Sequence, residues 1–312
     1  MSRNYGAGSR DMVAAARIIL ARSADRRELS FASVDAISDR FSRFAREMKA
    51  LGIGRMERIT RELLISYGHD LADQVDAGEM TPAYGQNLVS AVNSTMKLAT
   101  NYNWHSVSPT LDCGIAHRST IRLDPPTGMD YLLFSQTIVM MRRAGMARQA
   151  SIAELALELG LRSKECSLFD ARAALAEYKS TGFAIITEGT KGGKDRVIPI
   201  ILASQIDAIK LAASQQGKGR NLIPADESWK RWREGGLRQG REMLKGAGLV
   251  GFQDQRAVYV CRRYESLCGW PAPVMGGVIL NYEIDRMARD KLAIELGHGR
   301  HQIISQYCGS SK

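Results

Sequence analysis

The chain has few of the residues from which disulfide frameworks and metal sites are built. Its 312 residues include five cysteines, no two of which form a Cys-x-x-Cys pair, and five histidines. Of these histidines, His298 and His301 lie three residues apart, but no third metal ligand accompanies them. We therefore expect buried, unreactive thiols, and neither a zinc site nor a disulfide framework.

Long apolar runs are also missing. No stretch approaches the roughly 20 apolar residues that span a bilayer, and residues 1–10 lack the apolar segment and cleavage site of a signal peptide. We expect a cytoplasmic protein without membrane association. Apolar residues at 45% and charged residues at 24% are ordinary for a globular protein, and the length suits two domains with separate cores.

The charge of the chain is positive and unevenly placed. The formal net charge is +10, and the sequence pI is about 9.5. Residues 1–104 hold 14 Lys and Arg against 12 Asp and Glu, whereas residues 129–312 hold 27 against 19. This excess favours a polyanionic partner such as DNA, although a solvated surface could carry the same charge.

The first part of the chain has the pattern of a small helical domain. Three stretches between residues 37 and 99 carry apolar residues at every third or fourth position, which is typical of helices with one buried face. Gly52 and Gly54 end the first of them, Gly78 ends the second, and Thr81-Pro82 begins the third. A further helix is predicted over residues 12–22. Residues 1–104 are therefore predicted to form a helical N-terminal domain.

The second part of the chain has a mixed pattern. Residues 105–128 lose the helical periodicity, contain three prolines and are predicted to be an interdomain linker. Helices dominate again over residues 129–312, except that residues 182–187 and 196–200 resemble two strands joined by a turn rich in glycine and lysine. The predicted fold class is mainly α with a small antiparallel β-sheet.

Five residues of this second part combine groups that suit phosphodiester chemistry: Arg162, Lys191, Arg256, His298 and Tyr307. A phenol can attack phosphorus, and the covalent product conserves the bond energy, so resealing needs no nucleotide cofactor. Arginine forks bind two phosphate oxygens, lysine can protonate a leaving 5′ oxygen, and histidine can exchange a proton. The set requires neither a metal ion nor another cofactor.

In this order the five residues resemble the catalytic set of the tyrosine recombinases, the phage-integrase type of site-specific recombinase. Gly160-Leu161-Arg162-x-x-Glu165 is similar to the family's first arginine segment, residues 190–196 to its lysine-bearing turn, and Leu296-Gly297-His298 with Tyr307 to its nucleophile segment. The helical N-terminal region also resembles the family's core-binding domain, which clamps DNA. The resemblance covers residues 35–312.

The resemblance implies a DNA recombinase or integrase of a mobile element or prophage. Tyr307 would form a 3′-phosphotyrosyl intermediate while the other residues bind and activate the phosphate. The partner would be double-stranded DNA, with four protomers on two DNA sites, monomers or dimers when free, and accessory DNA-bending proteins. Two other functions stay open: a catalytically weak or inactive DNA-binding accessory protein, and an enzyme similar to the type IB topoisomerases.

The chain departs from the family's pattern in three places. Gln253 stands where the family usually has histidine, three residues before Arg256, and glutamine can hydrogen-bond a phosphate but cannot transfer a proton. We keep Gln253 in the predicted catalytic set and expect weakened or unchanged catalysis. The interval between Arg256 and His298 contains a predicted loop insertion around residues 269–277. Five residues follow Tyr307, which puts docking of a C-terminal segment into a neighbouring subunit in doubt.

Several of these residues have a simpler structural interpretation. Arg162 could form an ion pair with Glu165 at helical spacing instead of binding phosphate. Lys194 competes with Lys191 as the general acid, and three other tyrosines compete with Tyr307 as the nucleophile: Tyr259, Tyr264 and Tyr282.

A second set of basic residues is predicted to contact DNA, and for each a solvated charge is the alternative. Two lie on one face of a helix in the N-terminal domain, and two lie in or beside the lysine-bearing turn. Three accompany Trp229 and Trp232 in a basic, aromatic segment, and two follow Arg256. The set comprises Arg40, Arg43, Lys194, Arg196, Lys230, Arg231, Arg233, Arg262 and Arg263.

Overall fold

The structure is a computed structural model that describes residues 3–190 and 193–311. The chain divides into two compact units, Met1–Ser119 and Thr120–Lys312, and each unit has its own hydrophobic core. Within the described residues, no helix is both long and apolar enough to cross a membrane.

Four helices form the first unit: α1 (Met12–Asp25), α2 (Phe31–Ala50), α3 (Arg61–Asp76) and α4 (Pro82–Ala99). Each begins at a side-chain cap, from Asp11, Ser30, Thr60 and Thr81, that accepts a backbone N–H of the first turn. A short 3-10 turn, Met56–Arg58, precedes α3.

The core of the first unit includes part of the predicted linker. Phe41 and Phe44 of α2 pack in it together with Tyr67 of α3. Val107, Cys113 and Ile115 are buried in the same core, so residues 105–119 pack within this unit. A Cβ added to Gly68 would lie 2.2 Å from Cys113 Sγ, so only glycine lets this segment approach α3 so closely.

The second unit contains ten helices and two strands among its described residues. The elements are α5 (Tyr131–Arg143), α6 (Ala147–Leu159), α7 (Ser163–Leu168), α8 (Ala171–Thr181), β1 (Phe183–Ile186), β2 (Arg196–Pro199), α9 (Ala203–Gln215), α10 (Trp229–Glu234), α11 (Gly236–Gly246), α12 (Phe252–Cys268), α13 (Tyr282–Glu295) and α14 (Ser305–Cys308). Three 3-10 turns, Thr127–Met129, Pro273–Met275 and His301–Ile304, connect them.

The two strands pair antiparallel, with Phe183 opposite Pro199 and Ile186 opposite Arg196. Ala184, Ile186 and Ile198 face the core, and the intervening residues are exposed, as the alternation of a half-buried sheet requires. The predicted fold class, mainly helical with a small antiparallel sheet, is confirmed.

The core of the second unit is built around α6 and α12, which pack against each other. Ile152, Leu155 and Leu159 of α6 and Val258 of α12 are fully buried. The five cysteines are buried too, as predicted. Burial raises the pKa of Cys308 and of Cys113 to about 11, so these thiols stay protonated and unreactive near neutral pH.

Candidate active site

A glycine at the end of α6 brings the first arginine of the predicted catalytic set to the site. Gly160 is in the left-handed conformation with φ of 62°, and an added Cβ would lie 2.5 Å from the Tyr259 ring. The chain turns there, so Arg162 becomes the N-cap of α7 with its side chain partly exposed.

Arg256 lies near the start of α12 and is completely buried. Its Nη1 donates to the Gly160 carbonyl at 2.5 Å, and its Nη2 donates to the Leu296 carbonyl at 2.9 Å. The guanidinium therefore ties the segment before Arg162 to the segment before His298. Burial lowers the pKa of Arg256 from its ordinary value.

His298 lies just beyond α13, after Gly297 turns the chain with φ of 70°. Its Nε2 is 3.3 Å from Arg162 Nη2 and 3.5 Å from Arg256 Nη2. Guanidinium nitrogens only donate, so Nε2 can form hydrogen bonds with them only in the tautomer in which it is unprotonated and accepts. In this tautomer the imidazole can take up a proton at Nε2.

Tyr307 lies on α14 and points its phenol into the same cluster. The side chain is 5% exposed, and its oxygen is 3.2 Å from Arg256 Nε. The oxygen is also 3.4 Å from Gln253 Nε2 and 3.5 Å from His298 Nε2. Arg162, Gln253, Arg256, His298 and Tyr307, five of the six predicted catalytic residues, therefore lie together.

A buried carboxylate compensates part of the positive charge. Glu165 is fully buried and accepts from Arg162 Nη1 at 2.8 Å and from the Arg162 backbone at 2.6 Å. It is also ion-paired with Arg196 and lies 3.7 Å from Arg256 Nη1. Arg162 thus forms the ion pair that was the structural alternative, while its Nη2 contacts His298. Three guanidiniums share one carboxylate, which leaves a net positive cluster suited to a phosphate.

The predicted DNA contact of Arg196 is contradicted by its position. The side chain is 4% exposed, is bonded to Glu165 and donates to the Glu295 carbonyl at 2.9 Å. Burial lowers the pKa of Arg196 to about 10. Arg196 therefore contacts Glu165 from the core side of the cluster, because its position on β2 points its side chain into the core.

Lys191 lies outside the described residues, and its predicted role stays a prediction. Lys194, the alternative in the same turn, is exposed. In the described part of the chain, no group of three or more His, Cys, Asp or Glu side chains is placed to hold a metal ion.

The other predicted DNA contacts differ in their surroundings. Lys230, Arg231 and Arg233 are exposed on α10, while Trp232 is buried and donates to Ser167 Oγ at 3.1 Å. The tryptophan therefore packs inward and leaves the cations at the surface. For these three residues, DNA contact remains a prediction.

Arg262 and Arg263 of α12 are engaged in ion pairs. Arg262 Nη1 lies 3.3 Å from Glu158, and Arg263 Nη2 lies 3.0 Å from Glu295. In the first unit, Arg43 donates to Gln74 at 2.9 Å, and Arg40 is partly exposed. Contact of these four residues with DNA also remains a prediction.

The rival tyrosines have other surroundings. Tyr259 donates to Glu295 at 2.7 Å and Tyr264 to Asp285 at 2.5 Å, and burial together with these carboxylates raises the pKa of both phenols. Tyr282 is exposed at the start of α13. The carboxylates beside Tyr259 and Tyr264 would repel an anionic phosphate, whereas the Tyr307 oxygen faces the arginine cluster.

Several buried charged residues near the site were not predicted, among them Asp254 and Arg289. Asp254, beside Gln253, accepts from Arg122 and from the Thr127 backbone at 2.8 Å. Arg289 on α13 donates to Asp285 and to the C-terminal segment. The i,i+4 spacing of Asp285 and Arg289 was a visible signal, but it is equally common on exposed helix faces.

The comparisons with known proteins give a family match for part of the chain and several structures of similar fold. Residues 132–261 match the family model described as Integrase. No curated protein matches. Among the solved structures of similar fold are two of lambda integrase, each 16% identical to this chain. The lambda integrase dimer bound to a COC′ core site matches with a TM-score of 0.59, covering 93% of this chain and 75% of that one. The lambda integrase tetramer bound to a Holliday junction has a TM-score of 0.55, covering 91% and 73%.

Proposed function

We propose, on the premise that this chain belongs to the tyrosine recombinase family, that it is a site-specific integrase that cleaves and rejoins duplex DNA through a 3′-phosphotyrosyl intermediate. The observation that carries the proposal is the position of the Tyr307 oxygen, 3.2 Å from Nε of the buried Arg256 and 3.5 Å from His298 Nε2. Packing of the ring in the core would not by itself require an arginine and a histidine beside the phenol oxygen.

In the proposed step the phosphate binds between Arg162, Arg256 and His298. The Tyr307 oxygen forms a bond to phosphorus as its proton passes to His298 Nε2. Charge that develops on the non-bridging oxygens is met by the two guanidiniums, which are already fixed by Glu165 and by the Gly160 and Leu296 carbonyls. Gln253 donates a hydrogen bond but transfers no proton.

The bond between phosphorus and the 5′ oxygen then breaks. The leaving oxygen takes a proton and becomes a 5′ hydroxyl, and we assign this proton to Lys191 on the resemblance of its turn to the family's lysine segment. The reverse step, with a hydroxyl from a partner strand, restores the DNA backbone and frees the phenol. No bond energy is lost, so no nucleotide is consumed.

The proposed partner is double-stranded DNA bound by several copies of the chain. The similar structures are a lambda integrase dimer on a core site and a tetramer on a Holliday junction, which supports DNA binding and assembly here. We extend this to four protomers on two sites, assisted by DNA-bending proteins. The exposed cations of α10 and Lys194 are the proposed backbone contacts.

A trapped-adduct assay tests the proposal. The protein is incubated with nicked duplexes made from DNA that flanks its gene, so that loss of a short 5′ fragment prevents resealing. We expect a covalent adduct with wild type. Tyr307→Phe should form none while binding the same DNA with unchanged affinity, since a single hydroxyl is removed.

Tyr282→Phe is the matched control, because Tyr282 is an exposed tyrosine of the same unit. It should form the adduct at the wild-type rate. An adduct that persists in Tyr307→Phe would assign the nucleophile elsewhere. A wild-type protein that binds a confirmed target site and forms no adduct would overturn the proposed function.

A further inference from the structure

One buried arginine fastens the segment that carries Tyr307. Arg289 on α13 is 1% exposed. Its Nη1 donates to the Ser305 hydroxyl and to the Gly309 carbonyl, each at 3.2 Å, and its Nη2 donates to the Ser310 carbonyl at 2.9 Å. These acceptors lie on both sides of the tyrosine in sequence, so one guanidinium holds α14 at both ends.

Asp285 holds the guanidinium in place. Arg289 Nε lies 2.8 and 2.9 Å from the two Asp285 oxygens, one helical turn earlier on α13. Asp285 also accepts from the Tyr264 hydroxyl, and the Tyr264 ring lies 5.6 Å from the Arg289 guanidinium carbon. The charge of Arg289 is thereby compensated inside the core, and its planar fork is ordered before it meets the segment.

Backbone contacts close the other sides of the segment. The Arg122 N–H donates to the Ser305 carbonyl at 2.9 Å. A Cβ added to Gly309 would lie 2.7 Å from the Val274 nitrogen, so the loop between Arg256 and His298 packs directly on the chain two residues after Tyr307. Both contacts are made by backbone atoms. Of the side chains that bond to the segment, Cys261 Sγ donates to the Tyr307 carbonyl at 3.7 Å, whereas Arg289 contacts residues on both sides of Tyr307.

We propose that Arg289 is a positioning residue that sets the register of α14, so that the Tyr307 oxygen stays beside Arg256 of the same subunit. The inference rests on the proposed function, because it concerns presentation of the proposed nucleophile. The hydrogen bonds of Arg289 go to Asp285 and to the C-terminal segment. A misplacement of about 1 Å is enough to slow an oriented attack on the order of 100-fold.

The test is a double variant, Arg289→Gln with Asp285→Asn, which removes the ion pair without leaving a single buried charge. We expect the rate of adduct formation at saturating DNA to fall on the order of 100-fold, while the DNA dissociation constant stays at the wild-type value. Hydrogen exchange should become faster in residues 303–311 and remain unchanged in α6 and α12. A general loss of structure would instead weaken DNA binding as well and speed up hydrogen exchange in α6 and α12.

The matched control is Arg142→Gln with Glu154→Gln, which removes another arginine–carboxylate pair of the same unit. It should keep the wild-type rate. Arg289→Lys should recover part of the lost rate, since an ammonium can reach one of the carbonyls but cannot bridge both ends of α14.

Ser305→Ala covers the case in which the double variant does not fold. It removes only one bond of Arg289, and we expect a several-fold slower adduct with the melting temperature retained. Wild-type rates in every folded variant of Arg289 and Ser305 would overturn the positioning role. Absence of an adduct in wild type would instead be a failure of the proposed function, so the two failures are distinguishable.

Discussion

At the scale of single residues, the charge balance of the site depends on Glu165. One fully buried carboxylate contacts Arg162, Arg196 and Arg256. Burying cations without a counter-charge is costly, and three of them with one anion still leave a positive pocket. The cluster is therefore partly neutralised when nothing is bound, and it keeps a positive charge for the proposed phosphate.

Glu165→Gln tests how much this carboxylate contributes to the stability of the second unit. The substitution keeps the shape of the side chain but leaves buried Arg196 and Arg256 without their anion, so we expect the second unit to lose about 3–5 kcal/mol of unfolding free energy. Chemical denaturation of the full chain measures the loss. Glu154→Gln is the control: its pair with Arg142 is partly exposed, and its removal should cost less than about 1 kcal/mol. Equal losses in the two variants would contradict the role of Glu165.

Sequence reasoning predicted which residues meet, but not how they are held. The order of Arg162, Arg256, His298 and Tyr307 led to the prediction of a common pocket, and the four lie together. Arg196 was placed on the surface because it follows a polar turn. Its burial depends on which face of β2 meets the core, and a two-stranded sheet gives too short a pattern to decide this.

At the scale of elements, the site depends on where helices end. Gly160 ends α6, Gly251 precedes α12 and Gly297 follows α13, each with a positive φ. Helix positions were predictable from apolar periodicity, and the two strands from their β-branched residues. The contacts of Asp254 with Arg122, and of Arg289 with Ser305, Gly309 and Ser310, were not, because these partners lie 16 or more residues away along the chain.

Gly160→Ala tests the most constrained of these ends. An alanine would adopt an unfavourable left-handed conformation and place its Cβ 2.5 Å from the Tyr259 ring. We expect the free energy of unfolding to fall by at least roughly 1–3 kcal/mol because of strain and overpacking. Adduct formation should also become slower, because the Gly160 carbonyl accepts a hydrogen bond from Arg256.

Gly182→Ala is the matched control for that substitution. Gly182 ends α8 with φ of 78°, but nothing lies within 4 Å of an added Cβ. It should show only the strain of the left-handed conformation and keep the wild-type adduct rate. If Gly160→Ala proved no more harmful than Gly182→Ala, the contact with Tyr259 would be irrelevant. Thermal melting and the trapped-adduct assay give the two readouts.

At the scale of the whole molecule, the pocket is assembled from one chain. Arg256 links the carbonyls of Gly160 and Leu296, and Arg289 and Arg122 fasten the segment that brings Tyr307 to the same place. Each chain therefore has both the arginine cluster and its own phenol beside it, so the proposed attack needs no tyrosine from a neighbouring copy.

A mixing experiment tests whether the tyrosine acts within its own subunit. Tyr307→Phe has a pocket without a nucleophile, and Arg162→Ala has a nucleophile beside a damaged pocket. Because the Tyr307 oxygen already lies 3.2 Å from Arg256 of its own chain, we expect no adduct from either variant alone or from their mixture. The two variants are made with different chain lengths, so that the size of the adduct on a gel shows which variant is attached to the DNA. Wild type mixed with each variant should still give adducts, which shows that mixed assemblies form. An adduct carried by the Arg162→Ala subunit in the mixture would mean that its tyrosine had entered a neighbour's pocket, and that α14 leaves the position in which Arg289 holds it.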